Sequence, residues 1–329
     1  MKLSIVTTLY RSAPYLGEFY RRVVAAAERL TPDFEIVFVD DGSPDNSLAV
    51  ALGLQRRDPR VRVIELSRNF GHHLAMLTGL SHARGELVFL IDSDLEEPPE
   101  TLLRFAEVRR ERRADVVFGV QSRRVGGWWE RLVGWGFYKV FRYLSTDPLP
   151  ENVMTVRLMS RAYVQALVRH EETELQIGSL WVRTGFRQMA VPVAKAKRPT
   201  TSYSFSRRVA VAVNAITSSS NKPLVFIFYL GCLITALSAL AVGVLFVERL
   251  FLIPMLDGWA SLMASLWLLG GLIIFCQGVL GIYLSKVFLE SKRRPRVFIR
   301  EVHEPDGRPA AAPAARALLA PAADGGVGR

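Results

Sequence analysis

Two stretches of this chain, residues 224–247 and 258–285, contain no charged side chain. As a helix, each is long enough to cross a hydrocarbon layer of about 30 Å, which takes roughly 20 residues. One such run fits the interior of a soluble protein; two in succession point to a bilayer. Neither lies at the head of the sequence, so neither reads as a signal peptide. Arg207, Arg208 and Lys222 precede the first run, and Lys286, Lys292, Arg293, Arg294 and Arg296 follow the second, whereas residues 248–257 carry Arg249 as their only cation. The positive-inside tendency then puts both flanks in the cytoplasm and leaves a short external hairpin. The expected organisation is a soluble domain over residues 1–222, a two-helix membrane hairpin over 223–287 and a cytoplasmic tail over 288–329. The tail becomes Ala, Pro and Gly after Pro305 and is expected to be disordered there.

The formal net charge of +11 fits attraction to an anionic leaflet and to anionic substrates. Nucleic acid is disfavoured as a partner, because the cations gather beside the apolar runs and not in a separate aromatic-studded module. The 2 cysteines, Cys232 and Cys276, fall inside those runs, far from any metal-ligand spacing.

The soluble part alternates in period. Apolar strand-like runs cover residues 3–9, 34–39, 61–66 and 86–91, and helical spacing covers 15–30, 47–54, 72–83 and 98–111. Such alternation predicts an α/β domain with a largely parallel sheet and right-handed crossovers. No Gly-x-Gly-x-x-Gly follows the first strand and no Walker loop occurs, which disfavours dinucleotide oxidoreductases and P-loop enzymes.

Acids stand where the strands end. Asp92-Ser-Asp94 follows the fourth strand and Asp40-Asp41 ends the second, so the carboxylates converge on the edge at which open α/β sheets bind ligands. Asp92 and Asp94 offer hard oxygen ligands to Mg²⁺ or Mn²⁺ carrying a diphosphate; the alternative is that they cap the next helix. One Asp of the first pair can accept hydrogen bonds from a nucleobase or ribose. His72 and His73 open a helix without further ligand spacing and read as structural.

Val39-Asp-Asp-Gly-Ser-Pro-Asp45, Leu66-Ser-Arg-Asn-Phe-Gly-His72 and Asp92-Ser-Asp-Leu-Glu-Glu-Pro-Pro99 together resemble the successive signatures of family 2 glycosyltransferases of the GT-A fold. The resemblance is to the polyprenyl-phosphate branch, which includes dolichol-phosphate mannose synthases and bacterial undecaprenyl-phosphate sugar transferases, and it runs to about Arg296. It implies that Asp41, with Asp40 beside it, binds the nucleotide and that Asp92 and Asp94 hold the metal. Glu96 stands where the family usually has Gln, as a further metal contact. Tyr10 falls where the family wraps the base, and Arg68 lies after the third strand, where a guanidinium meets phosphate oxygens.

The segment Trp128-Trp-Glu-Arg-Leu-Val-Gly-Trp-Gly-Phe-Tyr-Lys-Val-Phe-Arg-Tyr-Leu144 mixes aromatics with Arg131, Lys139 and Arg142, as does a helix lying in the headgroup layer; residues 207–216 are a second candidate. A polyprenyl phosphate acceptor has a second pKa near 6 and is largely dianionic at neutral pH, so it needs no strong base. What it needs is cancellation of its repulsion from the nucleotide diphosphate, by the metal and by arginines. Candidates are Arg123, Arg131, Arg157 and Arg198.

Three departures from the family pattern bear on this. Thr155 occupies the usual Asp position in Met154-Thr-Val-Arg-Leu158, which removes one proposed base and suits a phosphate nucleophile better than a sugar hydroxyl. Gly119-Val-Gln121 stands for Gly-x-Arg, leaving Arg123 or Arg124 to replace it. Pro199-Thr-Thr-Ser-Tyr203 stands for Gly-x-Ser-Lys-Tyr, with Lys197 and Arg198 as substitutes at the acceptor phosphate.

The expectation is a metal-dependent, inverting transferase that moves a sugar from a nucleotide-diphosphate donor to a polyprenyl phosphate. It would be a multi-pass protein of the bacterial cytoplasmic membrane with its catalytic domain inside. Rival readings are a family 2 transferase acting on a saccharide or another lipid, and a non-catalytic scaffold. Gly270, Gly271, Gly278 and Gly281 permit close helix contacts in a homo-oligomer.

Overall fold

The computed structural model describes residues 1–121, 153–172, 177–194, 222–250 and 258–305. Arg123, Arg131, Lys197, Arg198, the aromatic segment 128–144, residues 199–216 and the tail after residue 305 lie outside the described residues.

The described residues form two compact units. The first comprises Met1–Gly127, Leu149–Ser202 and Arg294–Arg329. Its strands are β1 (Leu3–Leu9), β2 (Phe34–Asp40), β3 (Val61–Leu66), β4 (Leu87–Leu90), β5 (Val116–Gln121), β6 (Val153–Ser160), β7 (Gln188–Val193) and β8 (Ile299–His303). They make one sheet in the order β7-β5-β6-β4-β1-β2-β3-β8. β1 pairs in parallel with β2 and β4, β2 with β3, and β5 with β7, while β6 and β8 run against their neighbours. The sheet is thus mixed and mainly parallel, and the architecture is α/β, as the alternation predicts.

The reason lies in the strand sequences. β1, β2 and β3 are buried along their whole length, which a parallel strand covered on both faces requires. Leu3, Ile5 and Leu9 face one apolar layer, built with Leu16, Phe19 and Val23 of α1 (Ala13–Leu30), Ala51 of α2 (Ser47–Gln55) and Phe105 of α4 (Thr101–Arg112). Val6, Val37, Val39 and Ile64 face the other. There they meet Ala75, Met76 and Leu80 of α3 (His72–His82), Tyr163 and Val164 of α5 (Arg161–Leu167), and Leu180 and Trp181 of α6 (Ile177–Arg183).

Helix α4 starts at Thr101, three residues later than its apolar spacing suggests. A residue that precedes proline is pushed out of the helical region, so Pro98 and Pro99 form a turn instead, and the Pro98 carbonyl accepts from both Thr101 N (3.1 Å) and Thr101 Oγ1 (2.7 Å).

The second unit, Trp128–Pro148 with Tyr203–Arg293, contributes α7 (Lys222–Leu250) and α8 (Trp259–Ser291). Within α8, Leu269–Ser291 is long and apolar enough to cross a membrane, with a mean hydropathy of 1.9.

Residues 299–303, expected to belong to a tail, instead form the edge strand β8. A buried ion network fastens its far end. The Arg62 guanidinium donates to Glu35 Oε2 (3.1 Å), to His82 O (2.9 Å) and to both carboxylate oxygens of Glu304 (3.0 and 2.8 Å), and Arg84 adds a 2.8 Å bond to Glu304. Burial opposes ionisation of Glu304, but hydrogen bonds and charge from Arg62 and Arg84 outweigh it and hold the carboxyl below its ordinary value. Removing one partner of such a pair leaves a buried charge uncompensated. Glu304→Gln should therefore lower unfolding free energy by about 2–4 kcal/mol at pH 7 in urea titrations. A depressed pKa contributes its full stability above the unfolded value of 4.5 and loses it as pH falls from there through the folded-state pKa, so the gap between the two proteins should close over that range.

Candidate active site

β1 lies between β2 and β4, with the chain turning one way to β2 and β3 and the other way to β4. A crevice opens at such a switch point, outside the carboxyl ends of the strands. The segments that leave these ends are residues 10–12, 41–46, 67–71 and 91–97.

Ser93 sets the orientation of the acids after β4. Its buried hydroxyl donates to the Thr8 carbonyl (2.9 Å) and sits 2.9 Å from Ser12 Oγ, which in turn accepts from Tyr10 N (3.2 Å). With Ser93 turned into the protein, its half-buried neighbours Asp92 and Asp94 are left at the crevice. Asp94 Oδ1 accepts from Glu96 N (3.0 Å), which fixes a tight turn through Leu95 at φ 61° and leaves Glu96 half-buried.

The sequence reading set His72 aside, yet the fold brings it to this group. Its Nε2 is 3.3 Å from Asp92 Oδ1 and its Nδ1 is 3.0 Å from Thr8 Oγ1. The tautomer protonated at Nε2 satisfies both contacts, with Thr8 donating to Nδ1. No spacing rule could have found this, because Thr8, His72 and Asp92 come from three different elements; the one local signal is a histidine opening the helix after β3.

Asp40 and Asp41 are both buried but have different surroundings. Asp41 accepts Phe70 N at Oδ1 (2.7 Å) and Gly71 N at Oδ2 (3.0 Å), which ties the loop after β2 to the loop after β3. Desolvation raises its pKa, and these two bonds oppose the rise. The loops touch so closely that a Cβ on Gly42, at φ +59°, would lie 2.5 Å from Asn69 N, so only glycine fits there. Asp40 Oδ1 has no hydrogen-bond partner among the described residues. Desolvation, aided by the charges of Glu65, Asp41 and Asp45, pushes its carboxyl up to about 6 against one bond from Ser43 N. Asp45 is the counter-case: burial works against ionisation, but bonds from Ser43, Ser47 and Ala13 bring it down to about 2.

Tyr10 is 47% exposed at the end of β1, with the Arg11 guanidinium 5.6 Å from its ring centre. Arg68 is exposed and stacks on Phe70 at 4.0 Å. Arg157, expected at the acceptor phosphate, is enclosed: 1% exposed, 3.0 Å above the Trp181 ring, and donating to the carbonyls of Thr155 and Met154. Burial pulls its pKa down to about 9. It therefore works as a buried support of β6 and presents no guanidinium to an anion arriving from solvent.

A second acidic group was not foreseen. Glu65 of β3 and Glu301 and His303 of β8 bring their ligand atoms within 4.8 Å of one another. Glu65, however, already receives Arg300 Nη1 at 2.8 Å and His303 Nε2 at 3.5 Å, which neutralises it without a metal.

A mainly parallel sheet with an acid-lined switch point defines an α/β ligand-binding edge of the kind enzymes use. Residues 4–169 match the model described as Glycosyl transferase family 2. The chain belongs to that family, and the protein is a glycosyltransferase. It is 55% identical over 306 residues to a protein named "Putative glycosyltransferases" from Mycobacterium tuberculosis (strain CDC 1551 / Oshkosh), covering 93% of this chain and 90% of that protein. It is 32% identical to the bactoprenol glucosyl transferase of Shigella phage SfV, covering 91% of this chain and 98% of the relative. Among solved structures, the mannosyltransferase PcManGT from Pyrobaculum calidifontis, in complex with GDP-Man and Mn²⁺, is similar over 88% of this chain and 84% of its own, at 17% identity and a TM-score of 0.47.

The orphaned oxygen of Asp40 has a measurable consequence. A raised carboxyl pKa means that the folded state favours the protonated form, so a penalty begins above 3.8 and is complete above about 6. The Tm of Asp40→Asn should therefore rise relative to the wild type as pH increases from about 4 to 7, by the equivalent of roughly 3 kcal/mol. A pH-independent difference would show that the carboxylate finds a partner.

Proposed function

We propose that this enzyme transfers one sugar from a nucleotide-diphosphate donor to a polyprenyl phosphate at the cytoplasmic face of a bacterial inner membrane. The observation that carries the reading is the inward turn of Ser93, which leaves Asp92 and Asp94 at the crevice beside the end of β1. Their hard oxygens, with Glu96, fit Mg²⁺ or Mn²⁺. A bound ion there would neutralise the donor diphosphate and stabilise it as a leaving group.

The chain's own residues do the rest. His72 holds Asp92 in orientation and charge. Asp40 and Asp41 lie beneath the nucleotide, and Asp41 shapes the loop that carries Arg68 to the donor phosphates. Tyr10 covers the base. The acceptor phosphate is already an adequate nucleophile, which suits Thr155 in the position where a base is usual. Arg123, Arg131, Lys197 and Arg198 are proposed partners of that phosphate. The resemblance to bactoprenol glucosyl transferases along nearly the whole chain supports a polyprenyl acceptor.

The membrane topology has a similar support. Leu149–Ser202, which precede the second unit's segment in the chain, and Arg294–Arg329, which follow it, belong to the same compact unit, and β8 is hydrogen-bonded into the sheet that carries the acids. A chain that leaves one side of a bilayer and returns to it crosses an even number of times, which favours a hairpin of α7 and α8 over a single span.

The test is purified full-length protein in detergent with a panel of nucleotide sugars and undecaprenyl phosphate, with and without Mn²⁺, the lipid product being identified by mass. Asp92→Asn and Asp94→Asn should each lower kcat on the order of 10²- to 10³-fold, and His72→Ala roughly 10-fold. Full turnover without metal would overturn the role given to the two acids. Glycosylation of a free oligosaccharide alone would overturn the lipid acceptor.

A further inference from the structure

The loop at residues 67–71 has an inner and an outer support. On its inner side it hangs from Asp41 through Phe70 N and Gly71 N and packs against Gly42. On its outer side it meets the residues that follow the membrane helix α8. Ser67 N donates to the Phe298 carbonyl (2.9 Å), Arg300 Nη2 donates to the Ser67 carbonyl (3.1 Å), and the rings of Phe70 and Phe298 lie 6.3 Å apart at 44°.

The pairing of β8 with β3 is irregular at this spot. Glu65 faces Glu301 but Leu66 faces Ile299, so Arg300 is an extra residue on β8 with no cross-strand partner. A bulge of this kind re-aims a side chain. Here it turns the Arg300 guanidinium along the strand end, where it spans Glu65 Oε1 (2.8 Å) and the Ser67 carbonyl. Neither residue is there to fill a core: Phe298 is 55% exposed and the Arg300 side chain 61%. The fastening of the strand itself lies at its other end, in Glu304 with Arg62 and Arg84.

We propose that Phe298 and the bulged Arg300 are positioning residues for the nucleotide-sugar donor, acting through the 67–71 loop. Resting on the proposed transfer reaction, this adds a role for the segment that follows the last membrane helix. The loop presents Arg68 on the Phe70 ring, leads directly into His72, and receives its outer support from β8. An aromatic neighbour and one charge-assisted bond hold the loop against the motion that its Gly71, at φ 101°, would otherwise permit.

The test uses full-length Phe298→Ala and Arg300→Ala proteins in detergent. Donor KM should rise roughly 3- to 10-fold, the size of one aromatic pair or hydrogen bond, with kcat and the KM for undecaprenyl phosphate changed less than about two-fold. Phe298→Tyr should restore the donor KM, and Arg300→Lys, which cannot span both partners, should be intermediate. Hydrogen exchange at the amides of Phe70 and Gly71 should accelerate in Phe298→Ala. An unchanged donor KM, or a rise in both KM values together with a large fall in Tm, would overturn the proposal in favour of a general structural role. If the wild type transfers no sugar to a lipid, the functional reading fails by itself. The exchange experiment still decides this one, since unaccelerated Phe70 and Gly71 amides would sink it.

Discussion

Two oxygens of one carboxylate determine the form of the acid-rich edge. Asp41 accepts a backbone N–H at each, and in doing so it binds the loop after β2 to the loop after β3 from inside the protein. Gly42 can then approach Asn69 more closely than any side chain would allow. That pair of bonds is the inner anchor of the second loop, which presents Arg68 and leads into His72. The same arrangement sets the two members of the Asp40-Asp41 pair apart: Asp41 is satisfied within the protein, and Asp40 keeps one buried oxygen with no hydrogen-bond partner among the described residues.

Crowding acids at one sheet edge is unfavourable unless donors compensate, and this protein compensates them unequally. Two hydroxyls and two backbone amides surround Asp45 and hold it at about 2. Backbone amides serve Asp41, and an imidazole serves Asp92. Asp40 is the least compensated and is pushed up to about 6. The least compensated carboxylate is thus the buried one at the end of β2, beside the loops that Asp41 ties together.

Much of this was legible in the sequence because its signals are local. A strand buried on both faces reads as a run dominated by apolar residues, as β1 to β4 do in spite of Glu35, Arg62 and Glu65, and an acid after such a run lies at the sheet edge. What was not legible depends on contacts between distant segments. His72 looked structural because its partners, Thr8 and Asp92, are joined to it only by the order of the strands. Arg157 looked available because arginines are what an acceptor phosphate needs; Trp181, from a later helix, supplies the face on which it is buried. β8 looked like tail because Ile299-Arg-Glu-Val-His303 is short and charged, as edge strands are, and its partner β3 lies more than two hundred residues earlier.

That long separation has a consequence for assembly. A chain made from its N-terminus completes β1 to β4 and their helices long before β8 exists, and until then β3 is an open edge with the 67–71 loop supported on one side only. The intervening residues include both helices of the second unit. The outer support of the donor loop is therefore the last piece of the sheet to be added, and it follows directly from the end of α8.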